Sequence, residues 1–152
     1  GLDCSPRGDQ GSVVRVVDEK TVQFADRRGN NRLDTLRNIV QDNRIGLLFL
    51  VPGVSETMRI NGRATISTAP DLIASFSVEG KMPRSVVEVT IDQAYFQCSK
   101  ALFRSGIWEP ENQLDQTAVP TAGEMLQATI SNHFDPDEYD KTLQQRNLAE
   151  LW

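Results

Sequence analysis

The chain has 152 residues, with 16 basic and 21 acidic side chains, one histidine and two cysteines. Its length suits one domain with a core of its own, and 39% hydrophobic residues argue against disorder. The longest apolar run, Ile45 to Pro52, is far below the roughly 20 residues that span a bilayer. Two cysteines exclude a disulfide scaffold and point to a reducing compartment, hence the cytoplasm, while a lone His133 without CxxC or HExxH spacing excludes a multi-histidine metal site.

In chain order, Val13 to Val17 and Thr21 to Phe24 are β-rich runs around Asp18-Glu19-Lys20, the pattern of a hairpin. Asp26-Arg27-Arg28-Gly29-Asn30-Asn31 has the composition of a loop, after which Leu33, Leu36, Ile39 and Val40 recur at helical spacing. Ile45 to Val51 reads as a strand buried on both faces and ended by Pro52-Gly53. In Thr57 to Ser67, Asn61-Gly62 is a strong hairpin signal, but a two-residue hairpin would set Ile60 opposite Arg63 and mix the faces. As one continuous strand, Met58, Ile60, Gly62, Ala64 and Ile66 share one side. Thr57, Arg59, Asn61, Arg63 and Thr65 then form a polar, cationic ladder on the other. The spacing predicts a long strand, bulged at Gly62.

Ala69 to Phe76 reads as a short helix, and Val86 to Cys98 as a second long strand in which Val87, Val89 and Ile91 alternate with Glu88, Thr90 and Asp92. Ser99 caps a short helix that carries Lys100 and Arg104 and stops at Gly106. Thr121 to Glu124 is a capping box, and Asp135-Pro136-Asp137-Glu138 opens a further helix with acids at the positive end of its dipole. Packing of these last helices is expected through Met125, Leu126, Ile130, Leu143, Leu148 and Leu151. The plan is one domain over 1–152: a body of about six strands over 1–108, then an acidic helical tail over 109–152.

The net charge of −5 is unevenly spread. Residues 109–152 carry nine acidic and two basic side chains, whereas residues 27–63 hold seven arginines against three acids. Arginine's planar fork suits bidentate capture of phosphate or carboxylate, and a nucleic-acid binder would show a net-basic domain with interleaved aromatics. A small anionic ligand fits better. The loop Arg27 to Arg32 runs into a helix N-terminus, where backbone N–H groups and the helix dipole favour an anion. Alone it reads more readily as a polar loop capped by Asn30 or Asn31. The ladder of Thr57, Arg59, Asn61 and Arg63 adds a second cationic feature that is expected to converge on the same ligand.

Several blocks then stand in a familiar order: Ser5-Pro6-Arg7-Gly8-Asp9, Asp26 to Thr35, Ile45 to Gly53, Glu56 to Ala64, and Cys98 to Leu102. Over roughly residues 3–110 the sequence resembles the pyridoxamine 5′-phosphate oxidase-related FMN-binding proteins. The resemblance implies a mainly β fold with peripheral helices, a split β-barrel, here followed by two C-terminal helices. It implies a homodimer with FMN in clefts at the subunit interface, and an N-terminal helix and first strand that this chain is expected to lack. It also implies site residues: Arg27, Arg28, Asn30 and Asn31 at the FMN phosphate, Thr57, Arg59 and Asn61 toward the flavin, and Arg7 as a further cationic contact. Lys100 is carried over as a cofactor or substrate contact, and Trp108 as a wall of the pocket or a packed aromatic.

Two departures bear on the substrate. Pyridoxamine phosphate oxidases end in an arginine-rich, histidine-containing segment that binds substrate phosphate, whereas Arg146 is the only arginine here after Arg104. That argues against pyridoxamine 5′-phosphate itself. The stretch before Cys98 is Tyr95-Phe96-Gln97, without the histidine often found in relatives. Arg59 and Lys100 are candidates to stabilise negative charge on a reduced flavin. Cys98 is expected to be a buried small hydrophobe and His133 a surface or capping residue. The expected function is an FMN-dependent oxidoreductase acting on a small molecule or a reduced nicotinamide; the alternative is a flavin-binding or sensing module without turnover. A barrel holding haem or a deazaflavin ranks below both, because the arginine-rich loop speaks for phosphate.

Overall fold

The computed structural model describes residues 2–9, 11–29, 32–130 and 134–151. The chain divides into two compact units, residues 1–104 and 105–151.

In the first unit, β1 (Arg15–Asp18), β2 (Thr21–Asp26), β3 (Arg44–Phe49), β4 (Thr57–Ser67) and β5 (Ser85–Gln97) form one antiparallel sheet in the order β1-β2-β5-β4-β3. Five strands lie among the described residues, where about six are expected from sequence. Helices α1 (Asp34–Gln41), α2 (Pro70–Ala74) and α3 (Lys100–Ser105) lie between or after the strands. The architecture is mainly β with peripheral helices, a split β-barrel.

The core follows from strand alternation. Val22 and Phe24 of β2, Ile60 and Ala64 of β4, and Val87 and Val89 of β5 meet Ile39 of α1. Burying each of the larger side chains among them contributes about 1.5–3 kcal/mol. Val86 and Val87 are consecutive and both fully buried, so the start of β5 is covered on both faces. Of the helical apolar set, Ile39 is buried and Leu36 packs against the core, while Val40 points to solvent.

The long strand Thr57–Ser67 forms as its alternation predicts, and the irregularity falls beside Gly62, but the extra residue is on the neighbour. Asn61 pairs with Gln93 and Gly62 with Ile91, which leaves Asp92 of β5 unmatched. The slip keeps the apolar rows aligned: Ile66–Val87, Ala64–Val89 and Gly62–Ile91 continue as Ile60–Ala94 and Met58–Phe96. Glycine at 62 is a packing requirement, because a Cβ there would collide with the backbone carbonyl oxygen of Thr90.

One expectation fails at β3. Its apolar run predicts burial on both faces, yet β3 is the last strand of the sheet, and Leu48, Leu50 and Val51 are exposed. A continuous apolar run reports affinity for a covered environment, and an edge strand with one open face does not supply it.

In the second unit, short 3₁₀ turns at Pro110–Asn112 and Gln116–Ala118 precede α4 (Ala122–Gln127) and α5 (Pro136–Glu150). The capping box forms as predicted: the Glu124 N–H donates to Thr121 Oγ1 at 3.1 Å, and the Thr121 N–H to Glu124 Oε2 at 2.7 Å. Asp135 caps α5 by accepting from the Glu138 N–H at 3.1 Å. Of the six apolar residues expected to pack these helices, only Leu126 and Leu143 are half-buried. Met125, Ile130, Leu148 and Leu151 are exposed, and the helices meet where the Gly123 N–H donates to Asp140 Oδ1 at 2.8 Å. A side chain at 123 would press on the Pro136 carbonyl, so glycine permits this close approach. No helix among the described residues is long and apolar enough to cross a membrane.

Candidate functional site

Residues 3–9 form a strap without regular structure, tied to the barrel at three points. Arg7 Nη1 donates to Asp26 Oδ1 at 3.3 Å, and Arg27 Nε donates to Asp9 Oδ2 at 2.6 Å. Asp26 is the last residue of β2, so strand and strap exchange charges reciprocally at adjacent positions. The third tie is the Asp3 carboxylate, which accepts from the Thr35 hydroxyl of α1 and from Ser5 Oγ. Those hydrogen bonds, Thr35's first and Ser5's second, hold the Asp3 carboxyl below its ordinary pKa of 3.8.

Two cavities flank the strap. The first, about 520 Å³, is walled by the strap itself, by Val13 and Ala25, and by Arg27, Arg28, Gly29 and Arg32 at the turn into α1. The second, about 530 Å³, is bounded by the strap, by Val14 and Phe24, by α1 and by the edge strand from Arg44 to Leu50. Arginine dominates the charged wall of the first, while Ile39, Ile45, Leu47 and Phe49 give the second a largely apolar lining. One is suited to an anion and its neighbour to an apolar group.

Of the residues predicted from sequence, Arg7, Arg27 and Arg28 come together in the first cavity. Asn30 and Asn31 lie outside the described residues, as does His133. Thr57, Arg59 and Asn61 do share one face of β4, with Thr57 buried, Arg59 half-buried between Leu48 and Tyr95 in register, and Asn61 exposed. Lys100 is exposed at the start of α3. None of these four is on the wall of either cavity. The register explains their distance from the first cavity: Asp26 pairs with Ser85 at one end of β5, and Thr57 pairs with Gln97 at the other. At about 3.3 Å per residue, those two ends lie roughly 40 Å apart along the strand. The two cationic features do not converge within one chain.

Several residues at the first cavity were not singled out by sequence. Arg32 lines it and pairs with Asp34 at 2.6 Å; that hydrogen bond, reinforced by the Asp34 charge, raises the guanidinium pKa. The signal for Arg32 was present, since it belongs to the same arginine loop. Asp9, Asp26 and Asp3 carry no such signal, because a carboxylate's pairing to a distant arginine is not periodic. Cys98 corrects another expectation: it is exposed, as is Cys4, and neither forms a disulfide. The apolar burial expected of it is absent because β5 leaves the core before its end. Among the described residues no group of histidine, cysteine and carboxylate side chains is placed to hold a metal ion.

A family model described as pyridoxamine 5′-phosphate oxidase matches residues 3–98. No protein of curated function matches the sequence. Among solved structures, the chain is similar to a crystal structure of tagged HupZ from Group A Streptococcus, with 18% identity, 55% of this chain and 68% of that chain covered, and a TM-score of 0.47. It is also similar to a histidine-to-alanine form of the same HupZ, with 19% identity, coverage of 56% and 73%, and a TM-score of 0.45. The family match spans the sheet, the strap and both cavities, and it stops where β5 ends. On that match, the chain belongs to the pyridoxamine 5′-phosphate oxidase family.

Proposed function

We propose that this protein binds FMN as a homodimer and acts as a flavin-dependent oxidoreductase on a small molecule or a reduced nicotinamide. The observation that carries the reading is the arginine-walled cavity lying directly beside an apolar one. A ligand with a phosphate at one end and a planar ring at the other fits that pairing, so the residues present suit the cofactor. Bound FMN supplies reversible two-electron redox chemistry. The chain supplies the rest: Arg7, Arg27, Arg28, Asn30 and Asn31 form the phosphate seat, Thr57, Arg59 and Asn61 present donors to a polar ring edge, and Arg59 or Lys100 offsets negative charge there.

The dimer is supported by two features. Family members often dimerise, and the row Phe49–Met58–Phe96 carries the apolar face of the sheet out into solvent, with Phe96 75% exposed. A second copy covering that row buries apolar surface that one chain leaves open, on the face of the sheet opposite the β4 ladder. Exposed, unpaired cysteines support a reducing compartment, and we assign the protein to the cytoplasm.

Titration with FMN tests the seat. Replacing Arg28 and Asn31 with alanine weakens binding at least about tenfold and leaves the unfolding midpoint unchanged; equal affinity in the double variant contradicts the assignment. A flavin-binding module without turnover shares the same cavity. Anaerobic mixing with NADH or NADPH separates the two, since bleaching of the bound flavin supports the enzyme and persistent colour with every donor supports the module.

A further inference from the structure

We infer that Arg7 and Arg27 are positioning residues that clasp the strap shut as one wall of the arginine cavity, and that direct contact with the ligand's anion falls to Arg28 and Arg32. This rests on the phosphate seat proposed above and divides the labour within it.

The clasp is reciprocal. The strap gives a guanidinium to Asp26 and a carboxylate to Arg27, so breaking either pair releases the same segment. The Arg27–Asp9 pair is sheltered, its side chains only 15% and 13% exposed, whereas in the other pair Asp26 is sheltered and Arg7 is more open. Arg27 is also held on a second side, where its Nη1 donates to the Phe76 carbonyl at 3.2 Å. Phe76 is itself fixed, because the Arg15 guanidinium stacks 3.7 Å above its ring and donates to the Ser75 carbonyl at 2.7 Å. Were Arg27 to turn its fork to a phosphate, it would take its charge away from the sheltered Asp9 carboxylate and from the Phe76 carbonyl, which is unfavourable.

Arg28 and Arg32 stand differently. Arg28 is exposed on the cavity wall and has no hydrogen bond or ion pair among the described residues. Arg32 is 69% exposed, and its pair with Asp34 is solvent-screened, so an incoming anion exchanges for it at little cost. Charge on Arg7 and Arg27 is already matched by Asp26 and Asp9. The attraction for an anion therefore comes from the two exposed arginines, and the strap supplies shape.

Asp9→Asn distinguishes this from a seat in which all four arginines touch the ligand. The substitution adds net positive charge beside the cavity, so a purely electrostatic seat would bind FMN more tightly. On the clasp account, Asp9→Asn weakens FMN binding about three- to tenfold and speeds amide exchange across residues 2–9. The Arg28→Ala/Arg32→Ala double variant weakens binding about thirtyfold or more, flattens its dependence on salt and leaves strap exchange unchanged. FMN affinity equal to or above wild type in Asp9→Asn overturns the clasp. Wild-type affinity and salt dependence in the arginine double variant overturn the division of roles. If Asp9→Asn unfolds globally, Arg7→Gln opens the other half of the clasp and is read the same way. A wild-type protein that binds no FMN defeats the phosphate seat itself; the strap's exchange in Asp9→Asn then decides the clasp, upheld if protection is lost and refuted if it is kept.

Discussion

Strands β4 and β5 run side by side for most of their length, yet their two halves live in different surroundings. From Gly62 to Ile66, paired with Val87 to Ile91, the apolar row is buried or half-buried, with Val87 and Val89 fully shielded. Toward the other end Ile60 is still in the core, but beyond it Met58 and its partner Phe96, in the same row, run out into solvent. The boundary falls beyond Ile60, a short way past the slip at Asp92. The alternation of residue types does not change across that boundary; only the coverage does. One half of the ladder holds the fold together, and the other half is a surface built like a core, which is what an assembly interface looks like before it is covered.

This contrast is open to mutation. The largest loss is expected for Gly62→Ala, about 3 kcal/mol by urea denaturation, since the obstructing atom belongs to the β5 backbone and cannot rotate away. Val89→Ala in the buried half should follow at about 2 kcal/mol, the sum of lost transfer and a residual cavity. Phe96→Asp in the open half should change the stability of the dilute monomer by less than about 0.5 kcal/mol, yet shift sedimentation from dimer to monomer. A Phe96 substitution as destabilising as Val89→Ala would break the contrast. The smallest effects lie off the ladder and depend on pH. The hydroxyls of Thr35 and Ser5 lower the pKa of Asp3, and the Arg44 guanidinium and N–H bring that of Asp42 down to about 2. A depressed carboxyl stabilises the fold above its ordinary 3.8 and loses that contribution as pH falls through the folded value. Backbone NMR shifts of residues 2–9 should therefore move at pH below 3.8, and Asp3→Asn should abolish that movement while the β4–β5 amides stay in place.

Much of the fold was legible because period-2 alternation is local. The strand Thr57–Ser67 and the rejection of a hairpin at Asn61-Gly62 came from one face being apolar and the other polar. Capping at Thr121 and Asp135 was equally readable, since each uses residues within one turn. Coverage was not legible. Nothing in Ile45 to Val51 says that β3 is an edge strand, and nothing near Cys98 says that the end of β5 is open. The site divides in the same way. The arginine loop advertises its chemistry in consecutive residues, whereas the pairing of Asp9 with Arg27 and of Arg7 with Asp26 depends on where the strap lies. The separation of the β4 ladder from the arginine cavity follows from register along β5, which only pairing reveals.

Whether the two cavities beside the strap serve a flavin mononucleotide is tested most directly by denaturing the protein, purified without added cofactor, and identifying the released chromophore by mass. The expected result is FMN, close to one per chain. Release of haem or of a flavin dinucleotide in place of FMN, or a colourless protein that takes up no FMN on reconstitution, would contradict it.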